Sequence, residues 1–119
     1  MNTEILKNAG IDFDSGVKRF VGRTQLYEKA LLKFTRDTTF ERIRAAGESG
    51  DRKQLLANAH EFKGMCGNVG LTSLYTAADS LVRLLRGDAP DAAEVDASCA
   101  LLENEYHKIY EAVCAAMEA

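Results

Sequence analysis

The feature that most restricts the fold is a long apolar repeat near the end of the chain. Between about Asp91 and Met117, apolar residues recur at alternating spacings of four and three, the period of one helix face. They are Val95, Cys99, Leu102, Tyr106, Ile109, Val113 and Ala116. A helix with one continuous apolar stripe is stable in water only if that stripe is covered by another element. The rest of the chain has to supply that cover.

The composition favours helices as the covering elements. Ala and Leu account for 17 and 13 of the 119 residues, whereas the β-branched Val and Ile account for 6 and 4. Helical spacing recurs from Thr24 to about Arg36 and again from about Thr39, so this part forms two helices or one bent helix. Two further helical segments run from Asp51 to Gly70 and from Thr72 to Gly87. We predict an all-α, up-and-down antiparallel four-helix bundle over about 24–117, preceded by short accessory helices over about 1–22.

Several local details follow from capping chemistry and spacing. Asp14 or Ser15 can cap an accessory helix, Asp51 the core helix and Thr72 the next one, while Gly70 suits the left-handed residue after a helix end. The core stripe before Gly70 is Leu55, Ala59, Phe62, Cys66 and Val69. The accessory stripe is Val17, Phe20 and Val21, and the stripe after Thr72 is Tyr75, Ala78, Val82 and Leu85.

Charge and cysteine content exclude several classes of function. The formal net charge is −3 without a long block of either sign, so we expect no nucleic-acid partner. Three cysteines without CxxC spacing predict neither a disulfide framework nor a zinc site. No segment approaches the roughly 20 apolar residues that span a bilayer, so we expect a soluble, cytoplasmic, monomeric domain. Met1 and the absence of a linker suggest a free-standing domain, although a piece of a larger hybrid kinase would look similar.

The helix that ends near Gly70 contains an apparent defect. Gly64 and Gly67 lie in its interior, where each glycine costs about 1 kcal/mol relative to alanine. Counted from His60, the positions i+3, i+4 and i+7 are Lys63, Gly64 and Gly67, so these four residues share one face. We therefore expect an exposed imidazole beside a cation, over a surface cleared of side chains.

That arrangement suits phosphoryl exchange between proteins. A neutral imidazole carries a nucleophilic ring nitrogen at pH 7, and a phosphoryl group is a suitable electrophile. Lys63 can neutralise part of the charge on phosphoryl oxygens, and Gly64 allows another protein surface to approach closely.

The residues around His60 also carry a family resemblance. The stretch from Ala59 to Leu71 contains the pattern HxxKGxxxxxG, met by His60, Lys63, Gly64 and Gly70, and it resembles the histidine-containing phosphotransfer (HPt) domain of bacterial two-component phosphorelays. The chain departs from the usual pattern at Met65 and Cys66, where small residues are more common.

The resemblance implies a set of roles and partners. His60 would accept a phosphoryl group from a receiver-domain aspartate and pass it to another receiver, Lys63 would stabilise it, and Gly70 would end the helix. Leu56, Gly64 and Gly67 would form the surface that docks the partner. The partners would be response-regulator receiver domains and possible hybrid sensor histidine kinases. The chain would be a phosphocarrier without a kinase site, cofactor or metal of its own, with Mg²⁺ held by the receiver.

The sequence leaves two other hypotheses of function open. One is an adaptor that docks receivers without accepting phosphate, which the presence of both His60 and Lys63 argues against. The other is a metal- or haem-binding bundle that uses His60, His107 or Cys66, which lacks the facing ligand pairs typical of such bundles. His107 has no neighbours of the kind that His60 has, so we assign it no chemistry.

Overall fold

A computed structural model, which describes residues 1–118, shows seven helices and no strand over that range. They are α1 (Thr3–Asn8), α2 (Phe13–Arg19), α3 (Thr24–Arg36), α4 (Thr39–Ser49), α5 (Arg52–Val69), α6 (Thr72–Arg86) and α7 (Ala92–Glu118). Successive helices from α4 to α7 pack on one another, and α3 and α4 close the bundle against α7. The predicted all-α antiparallel bundle is confirmed. Within residues 1–118, no helix has both the length and the apolar content to cross a membrane.

The first bundle element is two helices rather than one bent helix. Asp37 takes an extended conformation with ψ 140°, and its Oδ1 accepts a hydrogen bond of 2.7 Å from the Thr39 backbone N–H. This local bond satisfies an orphan donor of α4 while α3 ends. The chain therefore changes direction between Arg36 and Thr39.

The core is formed by the predicted stripes of α5 and α7. All five α5 positions are buried, and in α7 only Cys99 is half-buried instead. Aromatic rings fill the centre, where Phe40 of α4 stacks on Tyr106 of α7 with ring centroids 3.9 Å apart. Phe34 and Phe62 pack around this pair.

The tight connection between α5 and α6 depends on Gly70. Its φ of 72° is left-handed, a conformation that glycine adopts without a steric cost. The Gly70 N–H donates to the Gly67 carbonyl at 3.2 Å, and the Leu71 N–H donates to the Cys66 carbonyl at 3.0 Å. The prediction that Gly70 ends the helix is confirmed, and α6 begins directly after it.

Two predicted N-caps are wrong by position. Asp12, rather than Asp14 or Ser15, caps α2, because its Oδ1 accepts the Ser15 N–H at 3.0 Å and the helix begins one residue later. Leu71 occupies the N-cap position of α6, so Thr72 is the first helical residue. Leu71 is buried in the core, which fixes it at the N-cap position, and no side chain caps α6.

Two predicted apolar positions are exposed. Val21 is 88% exposed because α2 ends at Arg19 and the chain turns there with a Val21 φ of 57°. Tyr75 is 38% exposed, and Leu85 is half-buried. The buried stripe of α6 is instead Leu74, Ala78, Leu81 and Val82. The buried face is thus displaced from the predicted one by less than one residue, which is roughly 100° of helix rotation, because Ala78 and Val82 belong to both stripes.

The N-terminal helices close one end of the bundle. The Asn2 N–H donates to the Ala116 carbonyl at 2.8 Å, and Leu6 of α1 is fully buried. The Tyr27 hydroxyl of α3 donates to the Val69 carbonyl at 2.9 Å, and Arg19 Nη1 donates to the Gly67 carbonyl at 3.0 Å. Two of the last carbonyls of α5, those of Gly67 and Val69, thereby accept hydrogen bonds from the N-terminal part of the chain.

Candidate functional site

His60 lies on the exposed side of α5 while its neighbour Ala59 is fully buried. The helix is well defined at its start, where the predicted N-cap Asp51 accepts the Gln54 N–H at 3.0 Å. Across the α5–α6 interface, Nη2 of Arg86 lies 3.3 Å from Nδ1 of His60. Both side chains are exposed, so this contact is open to solvent and to a partner protein.

The contact with Arg86 differentiates the two nitrogens of the imidazole. A guanidinium can only donate hydrogen bonds, so Nδ1 must offer its lone pair in this arrangement. Nε2 has no hydrogen-bond partner among residues 1–118. Nε2 is therefore the ring nitrogen that a reacting group can reach without displacing a protein contact.

Lys63 is paired across the same interface. Its Nζ lies 3.2 Å from Oδ1 of Asp79, and it also lies 5.9 Å from the centre of the Tyr75 ring. The other carboxylate oxygen of Asp79 forms an ion pair with Arg83, at 2.9 Å from its Nε. Lys63 shares a face with His60 as predicted, but its ammonium group is directed to α6.

The predicted docking residues differ in accessibility. A methyl group at Gly64 would meet no atom within 4 Å, so the surface one turn beyond His60 is open. A methyl group at Gly67 would lie 3.4 Å from the Tyr75 ring, so a partner would meet Tyr75 first at that position. Leu56 is half-buried against the core and offers only part of its side chain.

A groove borders the surface at Gly64, between α5 and α3. Its volume is about 480 Å³, and Gly64, Met65 and Glu61 line it together with Phe34 and Lys33 of α3. Met65, one of the two departures from the usual family pattern, thus contributes to this groove. The other departure, Cys66, is fully buried, and burial raises the pKa of its thiol well above the ordinary range. Cys66 therefore acts as a small core residue.

The two histidines named for a metal- or haem-binding bundle have different neighbours in the structure. His107 of α7 lies beside Glu103 and Arg44, whereas His60 contacts Arg86 of α6. Among residues 1–118, no group of three or more His, Cys, Asp or Glu side chains is placed to hold a metal ion.

Sequence reasoning missed two residues of this site, Arg86 and Asp79. The position of Asp79 could have been predicted from the antiparallel arrangement of α5 and α6. Lys63 and Asp79 are each eight residues from Leu71 in the connection, so they lie at the same level of the two helices. Arg86 is visible in the sequence only as part of the basic last turn of α6. Its approach to His60 depends on how α6 is rotated against α5.

A family model described as the Hpt domain matches residues 30–118, which is most of the chain. The chain belongs to the Hpt domain family. Hpt domains are phosphocarrier modules of two-component phosphorelays, in which they interact with receiver domains and kinases. The match begins within α3, so α1 and α2 lie outside it. Neither a curated protein nor a solved structure matches the chain.

Proposed function

We propose that His60 accepts a phosphoryl group from the phosphorylated aspartate of a receiver domain and passes it to a second receiver. The observation that carries this proposal is the environment of the imidazole. It is exposed in the middle of a rigid helix, it contacts a guanidinium through Nδ1, and it lies one turn from the open surface at Gly64.

The transfer is a substitution at phosphorus. The lone pair of Nε2 attacks the phosphorus atom of the acyl phosphate, and an N–P bond forms while the P–O bond to the aspartyl group breaks. The electron pair of that bond leaves on the receiver carboxylate. Since Nε2 needs its lone pair for the attack, the neutral ring carries its proton on Nδ1 at that moment, and this proton is then lost to water.

Arg86 affects this reaction in two ways, through its hydrogen bond to Nδ1 and through its positive charge. Its hydrogen bond to Nδ1 requires the lone pair there, so the guanidinium has to release Nδ1 before Nε2 can attack. After Nδ1 has lost its proton, the same bond can form again on the phosphorylated ring. The positive charge of Arg86 on the Nδ1 side of the ring also attracts the negatively charged phosphoryl group, which favours the product.

The partner supplies the remaining chemistry. Catalysis of phosphoryl transfer depends on positioning and on neutralisation of charge, and a divalent cation commonly provides the latter. We place Mg²⁺ in the acidic pocket of the receiver, and Gly64 with the exposed part of Leu56 in the docking surface. The chain itself then has no turnover and acts as a relay intermediate.

A direct transfer experiment tests the proposal. The protein is mixed with a receiver domain carrying a radiolabelled aspartyl phosphate, and the label on each protein is followed with time. We expect acid-labile, alkali-stable label on this chain, and its return to a second unphosphorylated receiver. A chain that binds the receiver but takes up no label would be a docking adaptor, and the proposal would be wrong.

A further inference from the structure

The carboxylate of Asp79 lies between two cations on the α5–α6 interface. Its Oδ1 is 3.2 Å from Nζ of Lys63, and its Oδ2 is 2.9 Å from Nε of Arg83. The side chains of Lys63 and Asp79 are 19% and 21% exposed, whereas that of Arg83 is 80% exposed. The pair between Lys63 and Asp79 is therefore the one shielded from water, where a charge–charge interaction is stronger.

This pairing decides where the charge of Lys63 is used. Lys63 follows His60 by one helical turn on the same face, from which a flexible lysine side chain could turn towards a phosphoryl group. Asp79 and the ring of Tyr75 instead hold the ammonium group on the side of α6. A phosphoryl group on His60 has to compete with the Asp79 carboxylate for Lys63.

We propose that Asp79 is a positioning residue that keeps the phosphoryl group on His60 readily transferable. It does so by holding the ammonium group of Lys63 on the side of α6. Asp79 makes and breaks no bond in the transfer, and it changes only the free energy of the phosphorylated state. This inference rests on the proposed function of His60. A relay protein has to release its phosphoryl group to the next receiver, and full neutralisation of that group by Lys63 would oppose the release.

The decisive quantity is the equilibrium constant for phosphoryl exchange between a receiver and this protein. It is obtained from the ratio of labelled receiver to labelled carrier after the exchange has reached equilibrium. In the variant Asp79→Asn, which keeps the side-chain size, we expect the equilibrium to shift towards phosphorylated His60 by about threefold to tenfold. The variant Asp79→Ser removes the same charge and should shift it in the same direction.

Three controls separate positioning from a general effect of charge or stability. Glu103→Gln removes an acidic partner of Arg44 on the α4–α7 side, so it changes the net charge equally and should leave the equilibrium constant within about twofold of the parent. Asp79→Glu restores the carboxylate and should return the parent value. Thermal unfolding of each variant shows whether the fold is retained.

The role of Lys63 is tested by a double-mutant cycle. If Asp79 acts by holding Lys63, the shift caused by Asp79→Asn should fall by at least half when it is measured in a Lys63→Met background. An undiminished shift in that background would overturn the role of Lys63.

The outcomes also separate this inference from the function on which it rests. If the parent protein accepts no label, the proposed function is wrong. If the parent accepts label but Asp79→Asn leaves the equilibrium unchanged or shifts it towards the receiver, the inference about Asp79 is wrong and the function of His60 stands.

Discussion

Arg86 and His60 meet across the interface between α5 and α6, with Nη2 of the guanidinium 3.3 Å from Nδ1 of the imidazole. The two residues are 26 positions apart in the chain, so the contact exists only in the folded bundle. It distinguishes one ring nitrogen from the other and places a cation beside the proposed phosphoryl site. The proposed reactive face of this Hpt domain is thus formed by two helices rather than by α5 alone.

Replacement of the proposed phosphoacceptor should remove function without removing the fold. His60→Gln should accept no detectable label from a phosphorylated receiver, because no ring nitrogen is left to attack. Since His60 is exposed, the free energy of unfolding should change by no more than about 0.5 kcal/mol. Circular dichroism with chemical denaturation measures the stability. The control His107→Gln should accept label like the parent, and label on the His60 variant would assign the acceptor to another residue.

Removal of the guanidinium beside His60 should weaken the phosphorylated state. In Arg86→Met, the equilibrium fraction of phosphorylated protein should fall by about threefold to tenfold, because one cation beside the phosphorylated ring is lost. The matched control is Arg23→Met at the start of α3, which removes the same charge from an exposed residue outside the α5–α6 interface. Equal effects of the two variants would show that Arg86 acts only through the net charge of the protein.

The ring of His60 reports the same contact spectroscopically. Nitrogen chemical shifts at neutral pH should show the proton on Nε2 in the unphosphorylated parent. In Arg86→Met the population with the proton on Nδ1 should rise, because the donor that requires the Nδ1 lone pair is gone. Identical shifts in the two proteins would mean that the contact does not select the tautomer.

Gly64 should separate stability from docking. Gly64→Ala should raise the free energy of unfolding by up to about 1 kcal/mol, since the added methyl group meets open space and the backbone there is helical. Gly64→Gln places a larger side chain one turn from His60 and should slow transfer from a receiver. Chemical phosphorylation by phosphoramidate should change much less, because a small donor needs no protein interface. If Gly64→Gln transfers as fast as the parent, Gly64 does not form part of the docking surface.

The raised pKa of Tyr27 predicts that the stability of the fold depends on pH. Burial, with a smaller contribution from Asp12, raises the pKa of Tyr27 to about 12 from its ordinary value of 10.0. Between these two pH values the unfolded chain loses the phenol proton while the folded chain keeps it, so the free energy of unfolding falls as pH rises. Below pH 10 the contribution of Tyr27 to stability is fully present.

Comparison with Tyr27→Phe isolates this effect from other alkaline titrations. At pH 8 the variant should be less stable by about 1–3 kcal/mol, because the Val69 carbonyl loses its hydroxyl donor. The difference between the parent and the variant should then shrink by roughly 2 kcal/mol between pH 10 and 12. Chemical denaturation at several pH values measures it. Parallel stability curves would contradict the raised pKa of Tyr27.

The helical class, the approximate helix limits and the motif around His60 follow from the sequence alone. Each of these features depends on residues close together in the chain. The stripe from Leu55 to Val69 has the period of a helix, and Gly70 is the residue that best adopts the left-handed conformation at its end. The common face of His60, Lys63 and Gly64 follows from 3.6 residues per turn.

The tertiary structure alone decided what surrounds that face. A rotation of α6 by less than one residue, which is roughly 100° of arc, buries Leu74 and leaves Tyr75 exposed, where its ring packs beside Gly67. The same rotation and register bring Asp79 to Lys63 and Arg86 to His60. The sequence pattern of α6 is compatible with either stripe, because Ala78 and Val82 belong to both. Only the packing of the whole core against α5 and α7 selects one of them, and with it the charges around His60.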